Sequence, residues 1–404
     1  VDEKLMTKTY CSLPWTHLAN EANGILRACC IASEKITGDD GVPLKLQTSS
    51  VNEIFHGPYM KKLRKQFRDG EKPQTCNICW SDEANGKTSK RMIYNKMADD
   101  HGRVIDYDAE PGLPDDWQLI LNNTCNLKCR TCHPHASSKW IKEAIDRNIS
   151  FDPIGSQKII SNDSAFWNTR DEWMPHVRSL EFMGGEPFFM KEFATVLDEF
   201  IDKGYAKNVR IRMSSNCTQR PEKLIERIID NFAGMAIGLS VDGVGKRFEY
   251  LRHPGNWSLA ASNLEYFTNL RNSLDDRMKF DFGITHTVSL HNIYYIHELH
   301  EYLDTLGIED TVWHNLVYFP PWYQVSILPR AAKDVICNHL RSKVWREQTL
   351  AAVTPLMNHM ENSEYDEYLM KRAVKEIKEG DAYRKEDFAA TFPEMYKLIE
   401  DHWV

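Results

Sequence analysis

Thr124-Cys125-Asn126-Leu127-Lys128-Cys129-Arg130-Thr131-Cys132 places three thiols on one short stretch with C-x3-C-x2-C spacing. It follows directly on residues 117–121, where aromatic and branched side chains predict a strand. Three thiolates on one loop can take three corners of a [4Fe-4S] cube and leave the fourth iron open for chemistry. A zinc knuckle is the competing reading; a structural zinc site wants a fourth protein ligand, and His133 is available. The next predicted strand, 177–183, ends in Glu181-Phe182-Met183-Gly184-Gly185-Glu186-Pro187. Paired glycines at a strand end allow a ligand to approach the backbone closely, although a strand-end Gly-Gly alone is more often a tight turn.

Outward from these two motifs the chain alternates. Strands are predicted at 117–121, 177–183, 209–214, 236–241, 279–288 and 312–318. Between them run apolar helical stripes: Phe193, Val196, Leu197, Phe200 and Ile201; then Leu224, Ile225, Ile228, Ile229 and Phe232. Two more follow, Leu259, Leu264, Phe267 and Leu270, then Ile293, Ile296, Leu299, Leu303 and Leu306, closed by Gly307. Six strands alternating with helices predict an α/β fold with a parallel sheet, read here as a partial (β/α)6 barrel at 115–325. A cysteine loop at the carboxyl end of a barrel strand stands where barrel folds put their active sites.

The first ~110 residues differ, with short runs, turn-forming residues and five of the ten cysteines; a metal staple would help so small a core to fold. They are expected to form a separate N-terminal domain, 1–110, joined through a linker at 102–116. Residues 330–404 read as a charged, helical C-terminal extension. Ten cysteines in a cytoplasmic chain point to metal rather than disulfides. Cytoplasmic placement is itself the expectation from a polar N-terminus, Val1-Asp2-Glu3-Lys4-Leu5-Met6, without an apolar h-region. No apolar run is long enough to span a membrane. The net charge of -8 argues against nucleic-acid binding through a bulk basic surface, and Lys61-Lys62-Leu63-Arg64-Lys65 is expected to be a solvated face.

Taken together, the cysteine loop and the Gly184-Gly185-Glu186-Pro187 segment make residues 115–320 resemble the radical S-adenosylmethionine (SAM) superfamily. The resemblance implies a catalytic [4Fe-4S] cluster on Cys125, Cys129 and Cys132, whose open iron chelates the methionine end of SAM. It implies that Gly184, Gly185 and Glu186 help to hold the amino end of SAM. Ser215 and Asn216 stand where the superfamily often carries a ribose-contacting Thr-Asn-Gly, with Cys217 in place of the glycine. Ser240 and Arg252, twelve positions apart, match a pair that binds the SAM carboxylate in relatives; an Arg fork suits a carboxylate. Thr131 replaces an aromatic residue found in many members near the adenine, a place where His133 could act instead.

The N-terminal pattern, Cys11, then Gly24 and Cys29 separated by four residues, then Cys76-Asn77-Ile78-Cys79-Trp80, resembles the auxiliary-cluster module called twitch, a shortened SPASM domain. In most relatives that module follows the barrel; here it comes first. The resemblance implies one auxiliary [4Fe-4S] cluster on Cys11, Cys29, Cys76 and Cys79, filled by four thiolates and suited to electron transfer. Cys30 is the alternative to Cys29, and a structural zinc site the alternative to the cluster.

The implied activity is reductive cleavage of SAM to a 5'-deoxyadenosyl radical that abstracts hydrogen from a substrate carbon. The implied partners are a reductant such as flavodoxin or ferredoxin, and a peptide, protein or small-molecule substrate. Modification of a peptide or protein is favoured, with dehydrogenation of a small alcohol as the alternative. A non-catalytic iron-sulfur or zinc scaffold is the reading from another class. His314, Asn315, Tyr318 and Trp322, at the end of the last predicted strand, are the candidates to face a substrate.

Overall fold

The computed structural model describes residues 9–84, 88–100, 104–151, 159–274, 276–308 and 312–403. The strands are β1 (His17–Asn20), β2 (Leu26–Arg27), β3 (Asp116–Leu119), β4 (Ser179–Phe182), β5 (Arg210–Ser215), β6 (Gly234–Ser240), β7 (Phe280–Val288) and β8 (Val312–Leu316). They form one eight-stranded sheet in the order β2-β1-β3-β4-β5-β6-β7-β8. All six strands expected from the alternating pattern are present, each within a few residues of its expected bounds. Residues 309–311 and 152–158 lie outside the described residues.

Contacts group the chain into two compact units. One unit is Val1–Thr124, Phe151–Met213 and Glu222–Ala236; the other is Cys125–Ser150, Ser214–Pro221 and Ile237–Val404.

In the first unit β1, β3, β4 and β5 run parallel, with β2 antiparallel to β1. β1, from the N-terminal segment, thus pairs in parallel with β3. Registers align Ala19, Gln118, Glu181 and Arg212 in one row across the sheet. Period-two alternation gives the sheet two unlike faces. On the apolar face Leu180, Phe182, Ile211 and Met213 are buried, and Phe182 meets Phe193 of the helix Lys191–Asp202 edge-on at 4.7 Å.

The opposite face carries charge, which is costly to bury unless paired. There Asp116 accepts from Arg212 at 2.7 Å and pairs with His17 Nδ1 at 2.8 Å. Burial alone would raise the Asp116 carboxyl, but His17 and Arg212 together hold it well below the usual carboxylate range. Arg64, expected on a solvated face, is instead fully buried and donates to the carbonyls of Pro14 and Phe55. Only its lysine neighbours Lys61, Lys62 and Lys65 are exposed.

The second unit holds the parallel pair β7 and β8, with Ile284 opposite Val312 and Val288 opposite Leu316. Its core is largely helical: Ile336, Leu340, Val353, Met357, Met370 and Ile377, from the helices Arg330–Arg341, Glu347–Glu361 and Glu367–Arg384, pack with Val288, Leu290 and Ile293. The C-terminal residues are thus one body with the last strands.

Candidate metal centres

In the first unit, Cys11, Cys29, Cys76 and Cys79 line a single cavity together with Leu13, Ile31, Ala32, Thr75, Lys90 and Arg91. Each sulfur arrives by a different local device. Cys11 stands just before Ser12, the N-cap of the short helix Leu13–Thr16, and Cys29 sits in a turn closed by the Ala32 amide on its carbonyl at 3.1 Å. Cys76 ends a 3-10 turn, and Cys79 lies in the first turn of the helix Asn77–Ala84. Cys30, the alternative to Cys29, is exposed and does not line the cavity.

Burial, reinforced by the neighbouring sulfurs, pushes the Cys76 thiol up to about 12. Cys29 rises to about 11 through burial and Cys30, and Cys11 is driven well above its ordinary value by burial first. Four such thiols ionise together only when a cation takes the protons' place, which is the chemistry of a thiolate-bound metal or cluster. A donor set of four sulfurs around one cavity fits a four-iron cluster. Among the described residues, no three His, Cys, Asp or Glu side chains are grouped so as to hold one metal ion.

In the second unit, Cys125, Cys129 and Cys132 sit on a loop without helix or strand, and its backbone is strapped from outside. The Lys128 amide donates to the His253 carbonyl and the Arg130 amide to the Leu251 carbonyl, each at 2.7 Å. Trp140 Nε1 donates to the Cys129 carbonyl at 2.9 Å, and the Cys125 amide to Ser138 Oγ at 3.3 Å, both partners on the helix Ser138–Asp146. Cys125 Sγ accepts from the Leu127 amide at 3.4 Å and lies 3.9 Å from Asn216 Nδ2, both favourable to a thiolate. Burial pushes Cys129 to about 11 while Arg252 pulls the other way.

The charged residues interleaved with these cysteines are anchored far along the chain. Arg130 Nη2 reaches Asp381 and Glu386, both at 2.5 Å, with its guanidinium 4.1 Å above the Tyr250 ring. A side chain at Gly380 would collide with Arg130, so the helix Glu367–Arg384 carries none there. Lys128 pairs with Glu143 at 2.8 Å, and Arg384 pairs with the same carboxylate at 3.0 Å. None of these partners was identifiable in the sequence, since no local pattern ties residue 130 to residues 381 and 386.

Ser215 and Asn216 are buried at the end of β5, and Asn216 Nδ2 donates to Asn126 Oδ1 at 2.8 Å, inside the cysteine loop. Cys217 adopts a left-handed backbone, φ 63°, where a glycine would be unstrained. Its side chain is fully buried with Sγ 3.6 Å from the Ala260 carbonyl, so it packs rather than lines the loop. Ser240 ends β6. Arg252 lies between the two residues whose carbonyls strap the loop; its Nη2 is 2.8 Å from Asp242 Oδ2, and its buried Nε has no partner among the described residues.

Gly184 and Gly185 both have positive φ, 75° and 53°. A side chain on Gly185 would strike the Thr124 carbonyl, which accepts from the Glu186 amide at 2.9 Å. Glu186 is fully buried, and its carboxylate accepts from the Phe188 amide at 3.3 Å. His133 stands edge-on to Phe319 at 5.3 Å; the exposed Phe319 had not been singled out.

His314, expected to face a substrate, has both ring nitrogens engaged by other histidines, Nδ1 with His286 at 2.8 Å and Nε2 with His300 at 3.0 Å. Trp322 packs on the helical core under Arg372, 5.2 Å above its ring. Asn315 and Tyr318 are exposed.

No family model and no curated protein sequence matches the chain. Among solved structures, native anSMEcpe with bound AdoMet is 19% identical over 55% of this chain and 58% of that one, with a TM-score of 0.37. Streptococcus suis SuiB bound to S-adenosylmethionine is 12% identical over 70% of this chain and 53% of that one, TM-score 0.34. TYW1 with a lysine-pyruvate adduct is 11% identical over 57% of this chain and 76% of that one, TM-score 0.33. The matched part thus spans little more than half the length of the first two.

Proposed function

We propose that the chain is a radical SAM enzyme that modifies a peptide or protein, with the catalytic [4Fe-4S] cluster on Cys125, Cys129 and Cys132. An auxiliary [4Fe-4S] cluster is assigned to Cys11, Cys29, Cys76 and Cys79. The observation that carries this reading is the cysteine loop itself. Three sulfurs, one buried and two half-buried, lie on a backbone strapped by the carbonyls of Leu251 and His253, and between those two residues Arg252 keeps a buried Nε without a partner among the described residues. A guanidinium N–H in that state suits a carboxylate ligand.

When bound and reduced, the cluster supplies the electron that cleaves SAM to methionine and a 5'-deoxyadenosyl radical, which takes hydrogen from a substrate carbon. The protein's own part is positional. Arg252 and Ser240 are assigned to the SAM carboxylate, Gly184, Gly185 and Glu186 to its amino end, and Ser215 and Asn216 to its ribose. The hydrogen bonds of Asn216 and Leu127 hold Cys125 in its ligating orientation.

Anaerobic reconstitution tests the reading. About eight irons and eight sulfides per chain are expected for two four-iron clusters, and dithionite with SAM should release 5'-deoxyadenosine. Stoichiometric zinc without sulfide would sink the proposal. Full iron without 5'-deoxyadenosine, even with peptides and small alcohols offered, would favour a scaffold.

A further inference from the structure

Two cations line the four-cysteine cavity, Lys90 and Arg91, and they differ in how their charge is met. Arg91 is compensated, donating through Nε and Nη2 to the Glu83 carboxylate at 2.9 and 2.7 Å. Lys90 has no ion-pair partner among the described residues. Its Nζ lies 2.8 Å from Cys30 Sγ, 3.5 Å from Gln118 Oε1 and 5.0 Å above the Tyr94 ring. Burial works against its charge, but Cys30, Tyr94 and Glu181 outweigh burial and keep the ammonium protonated.

Lys90 is also the first residue of the helix Lys90–Asp100, whose Met92 amide donates to Ser89 Oγ at 3.2 Å. Burial raises the Cys79 thiol, and the Arg91 amide of the same turn works the other way. One turn of chain therefore brings an ammonium without an ion-pair partner among the described residues, and a backbone hydrogen-bond donor, to a cavity walled by four sulfurs.

A four-iron cluster with four thiolates is a dianion when oxidised and gains a further negative charge on reduction. A nearby cation and hydrogen bonds to sulfur therefore stabilise the reduced form more than the oxidised form. We propose that Lys90 is a positioning residue of this kind, the counter-charge that raises the reduction potential of the auxiliary cluster so that the cluster accepts an electron more readily. The inference rests on the reading of the four cysteines as a cluster site.

The test uses the full chain carrying Cys125→Ala, Cys129→Ala and Cys132→Ala, so that only the auxiliary cluster contributes to an EPR-monitored redox titration. Lys90→Gln should lower the equilibrium constant for reduction tenfold or more, ~59 mV for a one-electron couple, with iron content unchanged. Lys90→Arg should hold the potential near that of the parent. An unchanged potential in a fully loaded Lys90→Gln protein would overturn the inference, as would equal loss of iron from both variants, which would mark a steric role. Absence of iron from the parent itself would overturn the cluster reading before Lys90 is touched.

Discussion

The two cysteine sites solve the same problem in opposite ways. Cys125, Cys129 and Cys132 come from one short stretch, and their loop has no regular structure of its own. Its shape is imposed by the Leu251 and His253 carbonyls, Trp140, and the Arg130 and Lys128 ion pairs. Cys11, Cys29, Cys76 and Cys79 come from separate segments and face one cavity, surrounded by short elements. A loop braced by protein can keep its form without metal. A cavity lined by four sulfurs from separate segments gains a further tie among those segments from whatever the sulfurs bind.

The largest expected effect follows from that contrast. Cys76→Ala with Cys79→Ala should remove about half of the roughly eight irons expected for two four-iron clusters. It should also lower the thermal midpoint markedly, because binding energy gathered by sulfurs from separate segments is folding energy. Replacing Cys125, Cys129 and Cys132 by Ala should remove the other half of the iron with a much smaller shift. Iron analysis and thermal melts monitored by circular dichroism give both quantities. Equal shifts in the two proteins would erase the contrast.

Next in size is the brace itself. Arg130→Gln leaves Asp381 and Glu386 facing each other without their cation, and breaking such a buried pair costs about 3–5 kcal/mol. Denaturant unfolding should show that loss, and the catalytic cluster should assemble poorly while iron at the four-cysteine site persists. A loss under ~1 kcal/mol, the range of an exposed ion pair, would show that the C-terminal helix is not what shapes the loop.

The same contrast explains what was readable beforehand. The six strands and the helices between them were legible because each carries a long apolar period, as in Phe193, Val196, Leu197 and Phe200 on one helix face. β1 was not, since four residues, His-Leu-Ala-Asn, give too short an alternation and β2 has only two. Neither strand is therefore visible in the sequence pattern of residues 1–110. The cysteines and the glycine pair stand out through spacing, and the four-sulfur cavity is lined by Cys29 and not by Cys30. Their electrostatic surroundings were not, because Arg130 with Asp381, Lys128 with Glu143 and Lys90 beside the cavity are joined only by tertiary packing.

The smallest effect concerns Arg252, and it separates ligand binding from the brace. Arg252→Ala is a poor probe, because the buried Asp242, 2.8 Å from Nη2, would lose its cation and destabilise the fold. Arg252→Lys keeps a positive charge for Asp242 but has no planar fork with which to serve a second carboxylate. SAM binding should therefore weaken by about 1.5–3 kcal/mol, the usual worth of a charge-assisted hydrogen bond, roughly a ten- to hundredfold rise in Kd. The thermal midpoint and the iron content of both sites should stay near those of the parent. Isothermal titration with SAM on the reconstituted protein measures the first, and melts with iron analysis measure the rest. An unchanged Kd with a full complement of iron would remove Arg252 from the SAM site. A drop in midpoint matching that of Arg130→Gln would place Arg252 in the brace around the cysteine loop.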